Sequence, residues 1–179
     1  NTLFSKKLNY FLLNMTEIRK NRKYIDFFNL NIQLSNTYLN KKSIFLFNVN
    51  LDQKELKNLS NFLNLKNIKN FKCSGEMEKI INNKFKFRCI ISCQIFQKCI
   101  ISLEDVKSKI NKITKRTIIF DEKLTSDENI DYFENKINIG DIIIEILALE
   151  IPDYPRLPGK KFEGLTITKK GTQKFNKEK

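Results

Sequence analysis

The spacing of apolar and polar positions changes several times along the chain, and each change marks an element. Phe28, Leu30, Ile32 and Leu34 alternate with Asn29, Asn31, Gln33 and Ser35, which predicts a half-buried strand running on from Phe27. Ile44–Val49 predicts a second strand. Leu56, Leu59, Phe62 and Leu63 then recur at helical spacing behind Asp52, and Asp52 with Glu55 three residues later resembles a capping pair, so a helix is expected over 52–63. Period two returns loosely over 66–80, where Ile68, Phe71, Cys73 and Met77 are the apolar positions. It is clear over 84–97: Phe85, Phe87, Cys89, Ile91, Cys93 and Ile95 face a core, and Lys84, Lys86, Arg88, Ser92 and Gln94 face solvent or a partner. Cys99–Val106 and Ile113–Phe120 predict two further strands. Residues 121–136, with Asp121, Glu122, Asp127, Glu128, Asp131 and Glu134 against Lys123 and Lys136, read as an acidic, mobile loop. Residues 139–149 are apolar nearly all round and predict a buried helix, which Pro152 ends.

These elements predict an α+β domain: a curved, mostly antiparallel sheet or partial barrel carrying two main helices. The length of 179 residues suits one core. Residues 1–26 are expected to form an N-terminal extension, 27–162 the domain, and 163–179 a basic flexible tail. Residues 1–14 carry two lysines and no acid, the mark of either a weak amphipathic targeting peptide or an over-extended reading frame. No apolar run reaches 18 residues, so no membrane span is expected.

Charge adds a candidate partner. The formal net charge of +13 points to a polyanion, most often nucleic acid. Only five of the 33 basic residues are arginine, however, and Asn and Ile are abundant, so codon drift in an AT-rich genome accounts for the excess equally well. The chain contains no histidine, which removes the commonest general base and zinc ligand together. No paired-carboxylate motif or phosphate-cradling glycine loop is visible. Cys73, Cys89, Cys93 and Cys99 form no C-x-x-C pair and are expected to be buried free thiols. These features predict a non-enzymatic protein without metal or cofactor.

All three prolines, Pro152, Pro155 and Pro158, fall within LALEIPDYPRLPGKKF, residues 147–162. They predict a stiff extended segment that lies across the sheet edge and holds Tyr154 against the core. The same stiffness would present Arg156, Lys160 and Lys161 as a pre-ordered basic strip for phosphate or an acidic protein face. Lys84, Lys86 and Arg88 line either a solvated strand face or a basic stripe that tracks an RNA backbone.

Cys99, Leu103 and Glu104, then Leu147, Ala148 and Leu149, then Tyr154, Pro155, Arg156, Pro158 and Gly159 resemble the motifs of the YceD family of large ribosomal RNA subunit accumulation proteins, most closely its alphaproteobacterial branch. The resemblance covers about residues 35–162. Two departures stand out. Many members outside that branch have Cys-x-x-Cys where Cys99 falls, but here the first position is Phe96; and the proline usual after Leu103 is replaced by Asp105 or Val106. The resemblance implies a role in making or stabilising 23S-type ribosomal RNA and no catalytic chemistry. Its partners would be ribosomal RNA or the pre-ribosomal large subunit, with ribosomal or assembly proteins as alternatives. Its setting would be the bacterial cytoplasm, or the matrix or stroma of a bacterium-derived organelle.

Overall fold

The computed structural model describes residues 23–120 and 130–159. The remainder of the expected N-terminal extension and tail, Lys160 and Lys161, and most of the acidic stretch lie outside the described residues. The elements run β1 (Ile25–Phe27), β2 (Gln33–Ser35), α1 (Asn36–Asn40), β3 (Ile44–Val49), α2 (Gln53–Phe62), β4 (Asn67–Ile81), β5 (Lys84–Lys98), β6 (Asp105–Phe120), β7 (Ile130–Phe133), β8 (Lys136–Asn138) and α3 (Ile139–Glu150). The fold is α+β. Six strands form an open mixed sheet in the order β1-β3-β4-β5-β6-β7, and β2 and β8 form a separate antiparallel ribbon. The four central strands are antiparallel, and each edge strand, β1 and β7, joins in parallel.

The alternation over 84–97 sets the core. Phe85, Phe87, Cys89, Ile91, Cys93 and Ile95 are all buried. Register aligns Phe87 with Met77 and Cys89 with Gly75, while Phe47 also pairs with Gly75. A side chain at Gly75 would collide with the Phe47 ring, so glycine lets Phe45, Phe47 and Phe87 stack in file at 6.0–6.2 Å across the strand between them. Ile139, Ile142, Ile143, Ile146 and Leu147 of α3 and Leu59 of α2 close over the same face. Asp52 caps α2 by accepting the Glu55 N–H at 2.8 Å. Asn138 caps α3 and also accepts the Ile32 N–H. That second bond draws the 28–32 loop so close to the helix that a Cβ at Gly140 would lie 1.6 Å from the Leu30 carbonyl oxygen.

Four expectations are corrected. The strand expected from Phe27 to Ser35 is two short strands in different sheets. Phe28 turns outward, and Asn29 accepts the Asn31 N–H at 3.0 Å in a local turn that breaks the extension. The Cys99–Val106 and Ile113–Phe120 strands are one 16-residue strand, β6, which begins at Asp105. Residues 99–103 form a turn instead, in which Leu103 has φ +59° and donates to the Cys99 carbonyl. The acidic stretch is not loop throughout, since β7 lies in its second half and β8 begins at its last residue, Lys136. Tyr154 is not held against the core: it is 74% exposed, and Pro155 is the buried residue of that segment.

Candidate nucleic-acid interface

Among the described residues the sheet has one covered face and one open one. Inward positions on β6 include Lys112 and Arg116, opposite the inward Ile91 and Phe87. Both cations are matched by acids of the covering layer. Lys112 pairs with Glu150 of α3, and Arg116 forks onto both oxygens of Glu145 at 3.0 and 3.1 Å, with Asp131 of β7 at 3.4 Å. These pairs anchor the helix on the sheet.

Among the described residues no helix covers the other face. Lys84, Lys86 and Arg88 project there from β5, as expected from the alternation, but they are not alike. Lys86 is exposed and Lys84 half-buried, and neither makes an ion pair among the described residues. Arg88 is 20% exposed; its Nε bonds Glu76 and its Nη2 bonds Glu78 at 2.8 Å. Glu76 is 2% exposed although it lies on the open face, and its Oε2 has no partner. Arg88 therefore neutralises the two carboxylates beside it and is not available as a free cation.

Register places Lys69, Lys72, Lys107, Lys109 and Lys115 on this face as well, opposite Gln94, Ser92, Phe96, Gln94 and Arg88 respectively. The sequence reading missed them for two reasons. A bulge between Lys69 and Lys72, with Asn70 at φ +52°, adds one residue to β4 and reverses its parity, so Ile68 and Cys73 both point inward. On β6 the polar run at 107–112 concealed a strand whose inward cations are paired. Between the lysines lies a trough of about 400 Å³ lined by Asn48, Ser74, Ile90, Ser92, Asn111 and Ile113.

The prolines sit elsewhere, at the end of the covered face. The Ile100 N–H donates to the Pro155 carbonyl at 3.0 Å, and Gln97 Nε2 to the Pro152 carbonyl at 3.0 Å. Pro155 is buried, while Tyr154, Arg156, Pro158 and Gly159 face outward, Gly159 with φ +82°. Cys99 is enclosed beneath this junction. The Ser102 N–H donates to its sulfur at 3.5 Å, and hydrogen bonding from the Ser102 side brings the thiol down to about 6, against the burial that opposes it. Asp105, just beyond the turn, is held below its usual range by Lys66 and Lys98. Leu103 and Glu104 are exposed, and the Glu104 carbonyl accepts the Cys99 N–H. Of the other singled-out residues, Leu147 is buried, whereas Ala148 and Leu149 lie on the outer side of α3.

All four cysteines are free and buried. Burial pushes Cys93 up to about 11, and the hydrogen bond to Cys89, followed by burial, raises Cys73 well above its ordinary value. Among the described residues no three Cys, Asp or Glu side chains converge on a metal-sized site, and no helix is long and apolar enough to cross a membrane.

The fold and the two surfaces thus define an α+β protein with an open lysine-bearing sheet face and a hydrogen-bonded proline segment at one end. Comparison with family models, curated proteins and solved structures finds no match to this chain.

Proposed function

We propose that the chain is a non-enzymatic biogenesis factor for the large ribosomal subunit, promoting the synthesis, processing or stability of 23S-type ribosomal RNA. The supporting observation is that the first and last of the three motif segments that carry the YceD resemblance, at 99–104 and 154–159, meet in space. Beside Cys99, the Ile100 N–H donates to the Pro155 carbonyl at 3.0 Å, and Gln97 Nε2 donates to the Pro152 carbonyl at 3.0 Å. This junction leaves Arg156 outward on a segment whose backbone is already fixed, so a phosphate contact there orders little new chain. The setting that goes with the reading is the bacterial cytoplasm or a bacterium-derived organelle.

A second reading, an adaptor docking on a ribosomal or assembly protein without touching RNA, is favoured by one observation. Leu103 and Tyr154 are 71% and 74% exposed around the same junction, and Leu103 is displayed from a left-handed backbone that a leucine rarely adopts.

Crosslinking in cells followed by sequencing of bound RNA tests the first reading, which expects large-subunit ribosomal RNA. Arg156→Ala should keep the wild-type melting temperature and co-sediment less with large-subunit precursors, and Arg156→Lys should recover only part of the loss, because a point charge replaces a planar fork. An Arg156→Ala protein that binds like wild type but melts much earlier would make the arginine a structural brace. Recovery of particles without RNA crosslinks would favour the adaptor.

A further inference from the structure

Resting on the ribosomal RNA reading, we propose that the open sheet face is a docking surface for double-stranded RNA, read by shape through its phosphates and 2′-hydroxyls. Charge complementarity selects the occupant. Among the described residues the acids that the strands place on the face are engaged: Glu76 and Glu78 by Arg88, Asp105 by Lys66 and Lys98, and Asp26 by the Asn48 amide at 3.0 Å. Lys72, Lys84, Lys86, Lys107, Lys109 and Lys115 have no acidic partner among the described residues. The inward cations Lys112 and Arg116 are paired, so on β5 and β6 the cations without an acid among the described residues, Lys84, Lys86, Lys107, Lys109 and Lys115, all lie on the uncovered side.

The arrangement favours a duplex over a single strand. Lys107 and Lys109 stand at one end of β6 and Lys115 six residues further on, about 20 Å along the strand at ~3.4 Å per residue. Lys84 and Lys86 extend this second group from β5. Between the two groups the trough offers amides and hydroxyls: Asn48, Ser74, Ser92 and Asn111, with Ser92 bonded to Asn111 at 2.8 Å. Such groups suit the 2′-hydroxyls of a wide, shallow A-form minor groove laid between two lysine rows that take its phosphates. A single strand would need aromatic platforms for its bases. Two rings share this face, Phe96, which already lies under the Lys69 ammonium 5.4 Å from its centroid, and Tyr132, opposite Ile119; their β6 partners Lys107 and Ile119 are about 40 Å apart at ~3.4 Å per residue, too far for a continuous stack.

The full chain should be titrated with a 20-base-pair RNA duplex, one of its single strands, and a DNA duplex of the same sequence, at 50 and 200 mM salt. The RNA duplex should bind at least about tenfold tighter than the single strand. With about six phosphate contacts its affinity should fall about 10³-fold between the two salts. Lys107→Ala with Lys109→Ala should reduce the log–log salt slope by about 2, and Lys86→Ala with Lys115→Ala should do the same. Lys54→Ala with Lys57→Ala, exposed on α2, is the control and should leave the slope unchanged. Equal binding of RNA and DNA duplexes, or of duplex and single strand, would overturn the proposal. So would polyglutamate displacing the duplex at matched charge, which would mark a surface for acidic proteins. If the face variants bind like wild type while Arg156→Ala loses ribosomal RNA, the face proposal fails and the ribosomal reading stands. If the wild type binds no RNA in any form and none crosslinks in cells, the direct-contact reading fails with it.

Discussion

Arg88→Ala separates the two kinds of cation on the open face. The side chain of Glu76 is 3% exposed and already has one oxygen without a partner, so its charge is balanced locally by the Arg88 guanidinium. Removing the arginine deletes two charge-assisted hydrogen bonds and strands a buried carboxylate. Deleting one member of a fully buried pair costs about 3–5 kcal/mol, and a hydrogen bond to a charged group about 1.5–3 kcal/mol. Because Arg88 retains 20% exposure, water can partly replace it, and about 2–4 kcal/mol is the expected loss. Lys86→Ala, two residues away on the same face, should stay within about 0.5 kcal/mol of wild type. Urea denaturation gives both values. A double-mutant cycle with Glu76→Gln should return a coupling of about 1–3 kcal/mol, since neutral glutamine no longer requires the guanidinium. If Arg88→Ala and Lys86→Ala cost the same and the cycle closes with no coupling, Arg88 is an ordinary surface cation, and its exclusion from the docking lysines is wrong.

Two further outcomes are expected. Gly140→Ala should cost several kcal/mol, because its Cβ would meet backbone rather than a side chain that can swing away, and thermal denaturation should show a large drop in melting temperature. Cys99 predicts a pH dependence whose sign follows from its lowered value of about 6 against an ordinary 9.0. The folded state binds fewer protons over that window, so this contribution rises from pH 6 to 9, is complete above 9, and is lost as pH falls through 6. Urea midpoints across that range should slope upward in wild type and be flatter in Cys99→Ala; equal slopes would show that the sulfur is not held as a thiolate.

Legibility in the sequence varied with what lay across from each residue. The β5 alternation could be read directly because its inward side is wholly apolar from Phe85 to Ile95. α3 could be read because five of its isoleucine and leucine side chains are buried against that side and Pro152 follows its end. β4 blurred where the bulge at Asn70 and Phe71 shifts parity, a backbone event that no side-chain period encodes. The Phe28–Leu34 alternation misled for the opposite reason. Its period is sound, but Phe28 has no facing surface, and Leu34 packs in a ribbon paired with Ile137, more than a hundred residues away. The proline segment was recognised as stiff, but which residue it buries depended on the Ile100 and Gln97 hydrogen bonds, which spacing cannot show.

β6 carries this dependence into function. Its Lys and Arg residues at 107, 109, 112, 115 and 116 look like one undifferentiated basic run. In the fold, even-numbered positions lie on the covered side, where Glu150, Glu145 and Asp131 consume the charge of Lys112 and Arg116, and Lys107, Lys109 and Lys115 face the open side, where no described acid pairs with them. Codon drift toward lysine would raise the charge of both faces, but it would not by itself supply Glu145, Glu150 and Asp131 opposite the inward cations or place Arg88 across Glu76 and Glu78. The sorting of paired from unpaired cations by strand parity, rather than the net charge of +13, is therefore the physical ground for assigning the open face to a polyanion.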